Sequence, residues 1–163
     1  MQTETRGVQM VIIGLGSPCL SDDSVGPRVV RELSREGCPG ARLVEAHASG
    51  LPLMDELAGM RRAIIIDALL DDSRSPGEIV VSTLRESGGS FAGSHYCSLA
   101  DALSLGRSLG LTLPADSDII LVGVVARDVA TFGESLSPEV EAALPHTCRV
   151  VRSLAAGAET DFY

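Results

Sequence analysis

Tryptophan is absent from this 163-residue chain and aromatic residues amount to 3%. A surface that stacks single-stranded bases needs aromatics, so that function class is poorly served here. Positive charge is also scarce. Thirteen Lys and Arg face 22 Asp and Glu, for a formal net charge of -9. Phosphate backbones and anionic membrane surfaces both demand clustered basic residues, so neither nucleic acid nor a membrane is an expected partner. No apolar run approaches the roughly 20 residues of a membrane-spanning helix. The polar start, Met1 to Gln9, lacks the long apolar region of a secretory signal, and the expected location is the cytoplasm. Cys19, Cys38, Cys97 and Cys148 are scattered without a Cys-x-x-Cys pair, which fits free thiols better than disulfides or a zinc site.

What the chain has is aliphatic material, with 45% hydrophobic and 21% charged residues. Its length suits one domain, expected over 1–163, with a frayed tail at about 157–163. Short apolar runs alternate with helix-period segments. That pattern predicts a single-domain, three-layer α/β fold: a twisted, mostly parallel sheet with helices on both faces. Strands are expected at Val8–Gly14, Ala41–Ala46, Arg62–Leu69, Glu78–Thr83 (an antiparallel edge) and Asp118–Val125. Helices are expected from about Ser21 to Glu36, Leu51 to Met60, Tyr96 to Leu109, and onward from Ser137-Pro138-Glu139. Pro145 is expected to kink or split that last helix. Ser87 to Ser94, rich in Gly and Ser, reads as a mobile loop.

Ligands of open parallel sheets bind beyond the carboxyl ends of the strands. Gly14-Leu15-Gly16 there suggests a dinucleotide loop, but Cys19 replaces the third glycine of that pattern. Asp22 and Asp23 would repel a pyrophosphate at the helix start, so no nucleotide is expected. One aspartate there is explained by helix capping. A second, adjacent carboxylate needs a further reason, and a cation supplies one. Asp67 follows the apolar triplet Ile64-Ile65-Ile66, and His95 precedes a helix. Two oxygens and an imidazole suit zinc, nickel, iron or manganese and leave positions open. His47, after the second strand, is a rival ligand, whereas His146, inside the last helix, reads as peripheral.

The run Val11-Ile12-Ile13-Gly14-Leu15-Gly16-Ser17-Pro18-Cys19-Leu20-Ser21-Asp22-Asp23-Ser24-Val25-Gly26 resembles the opening motif of the hydrogenase maturation endopeptidases. Ala48-Ser49-Gly50, Ile65-Ile66-Asp67-Ala68, Pro76-Gly77-Glu78, Ser94-His95 with Leu99-Ala100-Asp101, and Leu121-Val122-Gly123-Val124 follow in that family's order. The resemblance implies that Asp23, Asp67 and His95 are metal-binding and catalytic, with Asp22 a supporting or capping neighbour. Gly14 and Gly16 would shape the turn. Ser17 stands where many members carry Asn, Ser24 where many carry Gly, and His47 where a small residue is common.

The activity implied is an aspartic-type endopeptidase that removes a C-terminal extension from the large-subunit precursor of a [NiFe] hydrogenase. Nickel belonging to that client would serve recognition and metal-assisted hydrolysis, unless a carboxylate such as Asp23 acts as the base. A non-catalytic, nickel-checking chaperone of the same client is the alternative. H-E-x-x-H and G-x-S-x-G are both missing, which leaves zinc-protease and serine-hydrolase readings unsupported.

Overall fold

The computed structural model describes residues 8–87 and 94–157, without the side chains of 94–98. Among these residues five strands are present: β1 (Met10–Leu15), β2 (Ala41–Ala46), β3 (Arg62–Leu69), β4 (Ile79–Thr83) and β5 (Ile119–Val125). They form one sheet in the order β2-β1-β3-β5-β4. The β1–β2, β1–β3 and β3–β5 pairings are parallel, and β4 runs antiparallel to β5 at the edge. Among the described residues four helices accompany the sheet: α1 (Val25–Glu36), α2 (Leu51–Leu57), α3 (Ser94–Ser108) and α4 (Pro138–Ala155). The fold is therefore the expected mostly parallel α/β sheet, helix-covered on both faces.

Strand alternation explains the near-continuous apolar runs. Val11, Ile13, Ala63, Ile65, Ile119 and Leu121 pack with Leu53 and Leu57 of α2 and with Leu99 and Leu103 of α3. The intervening residues Ile12, Ile64, Ile66 and Val122 meet Val29 and Leu33 of α1 and Val151 and Leu154 of α4. A strand covered on both sides cannot alternate apolar with polar.

Several boundaries differ from the sequence reading, for local reasons. β1 begins at Met10 and extends to Leu15. The α1 segment opens with a 3-10 turn at Ser21–Ser24. α2 stops at Leu57, because Gly59 takes φ +76° and its N–H turns away to the Thr112 carbonyl at 2.8 Å. A 3-10 turn over Asp116–Asp118 precedes β5. Pro145 does not split the last helix, since α4 is a single helix from Pro138 to Ala155 with Pro145 inside it. Pro145 lies on the exposed side of α4, while Thr147, Cys148, Val150 and Val151 lie inward. The carbonyl left without its helical donor on that side can turn to water, so the helix tolerates the ring without breaking. The expected mobile loop at Ser87–Ser94 lies mostly outside the described residues, as does the tail from 158 onward.

Candidate active site

Strand order places the site. The chain leaves β1 toward β2 on one side and then crosses to β3 on the other, so a crevice opens between the carboxyl ends of β1 and β3. Glycines let the backbone close around it. A Cβ on Gly14 would lie 2.2 Å from the Gly26 carbonyl oxygen. One on Gly26 would lie 2.5 Å from the carbonyl oxygens of both Leu15 and Ile66. Gly26 thus supplies a close helix–sheet approach, whereas Cys19, which replaces the third glycine of the dinucleotide pattern, is exposed. Gly16 adopts φ +140°, and a Cβ there would collide with the Asp23 carbonyl oxygen at 1.9 Å.

Within this loop the two adjacent aspartates have different tasks. The Asp23 carboxylate, partly exposed, curls back over the turn, where its Oδ2 accepts the Ser17 N–H at 2.7 Å. The Ser17 hydroxyl accepts the Cys19 N–H at 3.4 Å, so serine at this position serves the turn through its own oxygen. The Ser24 hydroxyl donates to the Ser21 carbonyl at 2.7 Å. Ser21 itself takes φ +40°, an uncommon conformation for a residue with a side chain.

Asp22 points the other way and is 0% exposed. Its Oδ2 accepts the N–H groups of Arg127 (2.9 Å) and Asp128 (3.1 Å) and the Ser137 hydroxyl (2.9 Å). Its Oδ1 accepts the Ser137 N–H at 2.7 Å. Asp22 therefore does not cap its own 3-10 turn, which has no side-chain cap. It anchors the segment between β5 and α4. Ser137 is the N-cap residue of α4, yet its hydroxyl serves Asp22 and makes no side-chain cap bond. The sequence carried no signal for this pairing across 115 positions.

Asp67 is 4% exposed, near the end of β3, and its Oδ1 accepts the Ala68 N–H at 2.8 Å. By strand alternation it lies on the sheet face of Ile65 and Leu69, the face covered by α2 and α3. Register puts Gly123 beside it on β5, a neighbour without a side chain. His47 is exposed and its Nδ1 lies 2.8 Å from the Gly16 carbonyl oxygen, a pairing in which the ring nitrogen donates. His47 thereby holds the turn that holds Asp23. His95 sits in the first turn of α3, one turn before the buried Leu99, and its side chain lies outside the described residues. His146 is exposed beside Arg149, away from this crevice, as expected.

The Gly-rich turn, Asp23, His47 and Asp67 thus share the carboxyl end of the sheet. Among the described residues no three His, Cys, Asp or Glu side chains form a group that could hold a metal ion by themselves. Of the cysteines, Cys19, Cys38 and Cys148 are free thiols. Burial pushes the Cys148 thiol above its usual pKa, so it behaves as a packed side chain and not as a nucleophile.

No family model matches the chain. It is 27% identical over 140 residues to the hydrogenase 2 maturation protease of Escherichia coli, covering 83% of each chain. A protein named FrxA from Pyrococcus furiosus is 26% identical over 139 residues, covering 83% of this chain and 96% of the other. Among solved structures, the [NiFe] hydrogenase maturation protease HybD from Thermococcus kodakarensis superposes with a TM-score of 0.73 at 26% identity. That superposition covers 90% of this chain and 99% of that one. The hydrogenase maturating endopeptidase HybD from E. coli shares the fold at a TM-score of 0.76 and 23% identity, over 92% and 93% of the two chains.

The relatives and the fold make the class a peptidase built on a mostly parallel α/β sheet, with its crevice at the switch between β1 and β3. In sequence and in fold the chain is similar to the hydrogenase maturation endopeptidases.

Proposed function

We propose that this protein removes a C-terminal extension from the nickel-loaded large-subunit precursor of a [NiFe] hydrogenase. The observation that carries this reading is the division of labour between Asp22 and Asp23. One carboxylate is spent on four hydrogen bonds that fix the loop. The other is held by a single backbone N–H, and its Oδ1 accepts no hydrogen bond among the described residues. A partly exposed carboxylate fixed in this way at a sheet crevice is prepared for an incoming cation.

In this account Asp23, Asp67 and His95 complete the coordination of nickel that the client brings. Oxygen and imidazole donors suit a divalent first-row metal. Because the chain supplies only part of the coordination sphere, productive binding depends on prior metal insertion in the client. Nickel then acts as a Lewis acid on the scissile carbonyl, and the buried Asp67 and turn-held Asp23 fix its position. The site is assembled in the cytoplasm, where the precursor matures. No described helix is long and apolar enough to cross a membrane, which accords with that location.

The test is intact-mass analysis of a large-subunit precursor from the same genome, nickel-loaded or nickel-free, incubated with this protein. Loss of one defined C-terminal peptide from the loaded precursor alone is the expected result. Equal cleavage of both forms would contradict nickel recognition. Nickel-dependent complex formation without cleavage would favour a metal-checking chaperone.

A further inference from the structure

Phe132 is one of three phenylalanines in the chain, and it is 85% exposed in the segment between β5 and α4. Its neighbours on both sides are fixed. The Thr131 N–H donates to the Asp128 carboxylate at 2.9 Å, and the Thr131 carbonyl accepts the Ser21 hydroxyl at 3.0 Å. The Gly133 N–H donates to the Cys19 carbonyl at 3.0 Å, and the Gly133 carbonyl accepts the Ser21 N–H at 2.9 Å. The backbone on either side of the ring is thus stitched to residues 19–21, just ahead of Asp22 and Asp23. An aromatic ring held out in water by so many bonds, in a chain so poor in aromatics, is an unusual use of apolar surface.

Two other exposed large side chains lie at the same end of the sheet. Leu70, 65% exposed, immediately follows β3, and Leu51, 53% exposed, follows the loop after β2. The exposed Leu105, Leu109 and Leu111 belong to a separate place, the end of α3 and the turn beyond it. Exposed apolar residues around a crevice mark a surface that another chain covers.

We infer that Phe132 is the specificity anchor that grips an apolar side chain of the client precursor, in the stretch leading to the scissile bond. This inference rests on the proposed function. Continuity identifies the occupant: the hydrogen bonds of residues 131 and 133 tie Phe132 to the loop that carries Asp23. A polypeptide whose metal engages Asp23 must pass beside that loop. Phe132 touches no reacting atom in this account, so its contribution lies in binding and not in the chemical step. Truncating an aromatic anchor in an interface commonly weakens binding about tenfold or more.

The experiment measures initial rates of processing of the nickel-loaded precursor by wild type, Phe132→Ala and Phe132→Leu, with Leu105→Ala as a surface control. Phe132→Ala should raise KM about tenfold at unchanged kcat and unchanged melting temperature. Phe132→Leu should recover most of the loss, and Leu105→Ala should match wild type. A KM for Phe132→Ala within about twofold of wild type, or a fall in kcat at constant KM, overturns the inference. A wild-type protein that neither cuts nor binds the precursor removes the proposed function first and this anchor with it.

Discussion

Asp22 and Ser137 are joined twice: the Ser137 N–H donates to Oδ1 at 2.7 Å and its hydroxyl to Oδ2 at 2.9 Å. This pair of hydrogen bonds from the start of α4 to a buried carboxylate ties the first loop of the chain to its last helix. Replacing Asp22 by Ala would leave the N–H groups of Arg127, Asp128 and Ser137 without acceptors. The expected cost is about 3 kcal/mol of stability, since each unpaired buried group costs roughly 1–3 kcal/mol and relaxation recovers part. Urea unfolding checks it. A loss no larger than that of Asp23→Ala would show that the anchor is dispensable.

Gly26→Ala should be among the most damaging single-methyl changes in the protein. The added carbon would meet backbone oxygens of both β1 and β3 at 2.5 Å, and backbone cannot swing aside as a side chain does. Poor soluble expression, or a loss above about 2 kcal/mol, is expected. Wild-type stability in Gly26→Ala would mean that α1 does not sit this close to the sheet.

Pro145→Ala tests the continuous helix in the opposite direction. Alanine restores a helical N–H and relieves the clash of the ring with the preceding turn, at an exposed position. A gain of about 1–3 kcal/mol is expected, reduced by the greater freedom of the unfolded chain. Thermal unfolding provides the measurement, and a destabilised variant would refute this account of α4.

Acid should loosen the segment that presents Phe132 before it unfolds the sheet. Hydrogen bonds from Thr131 and Ala130 hold the Asp128 carboxyl below its usual pKa. A depressed folded pKa gives stability that is complete above the unfolded value, roughly 3.9, and is lost as pH falls through the folded value. The protection of the Ala130 and Thr131 amides, relative to their intrinsic exchange, should therefore fall in wild type below about pH 4. In Asp128→Asn the same amides should show no such acid-dependent step. Identical pH profiles for the two proteins would rule out this role for Asp128.

β2 and β3 were readable to the residue, because each apolar run is closed by a turn or by a polar position. The antiparallel edge at β4 was readable because Pro76-Gly77 leaves too short a connection for a crossover helix. Asp67 could be singled out because a carboxylate straight after an apolar triplet is costly to bury without a purpose, and Asp23 because a second carboxylate beside Asp22 needs a reason beyond helix capping. The role of Asp22 was not readable, because its partners lie more than 100 positions away and two of its four bonds come from the backbone N–H groups of Arg127 and Asp128. Nor could composition find Phe132. A lone aromatic in an irregular segment has no periodicity to place it inside or out, and only the bonds of residues 131 and 133 show it held outward. His47 reads as a rival ligand from its place after β2, and the fold adds a bond from its Nδ1 to the Gly16 carbonyl that steadies the turn.

The central claim is that Asp23 serves processing while Asp22 serves the fold. Its most direct test measures cleavage of the nickel-loaded precursor by wild type and Asp23→Ala, with urea unfolding of both proteins in parallel. The account predicts no released peptide with Asp23→Ala and a stability within about 1 kcal/mol of wild type, since only one turn hydrogen bond is lost. Full cleavage by Asp23→Ala would contradict it, and so would inactivity accompanied by collapse of the fold.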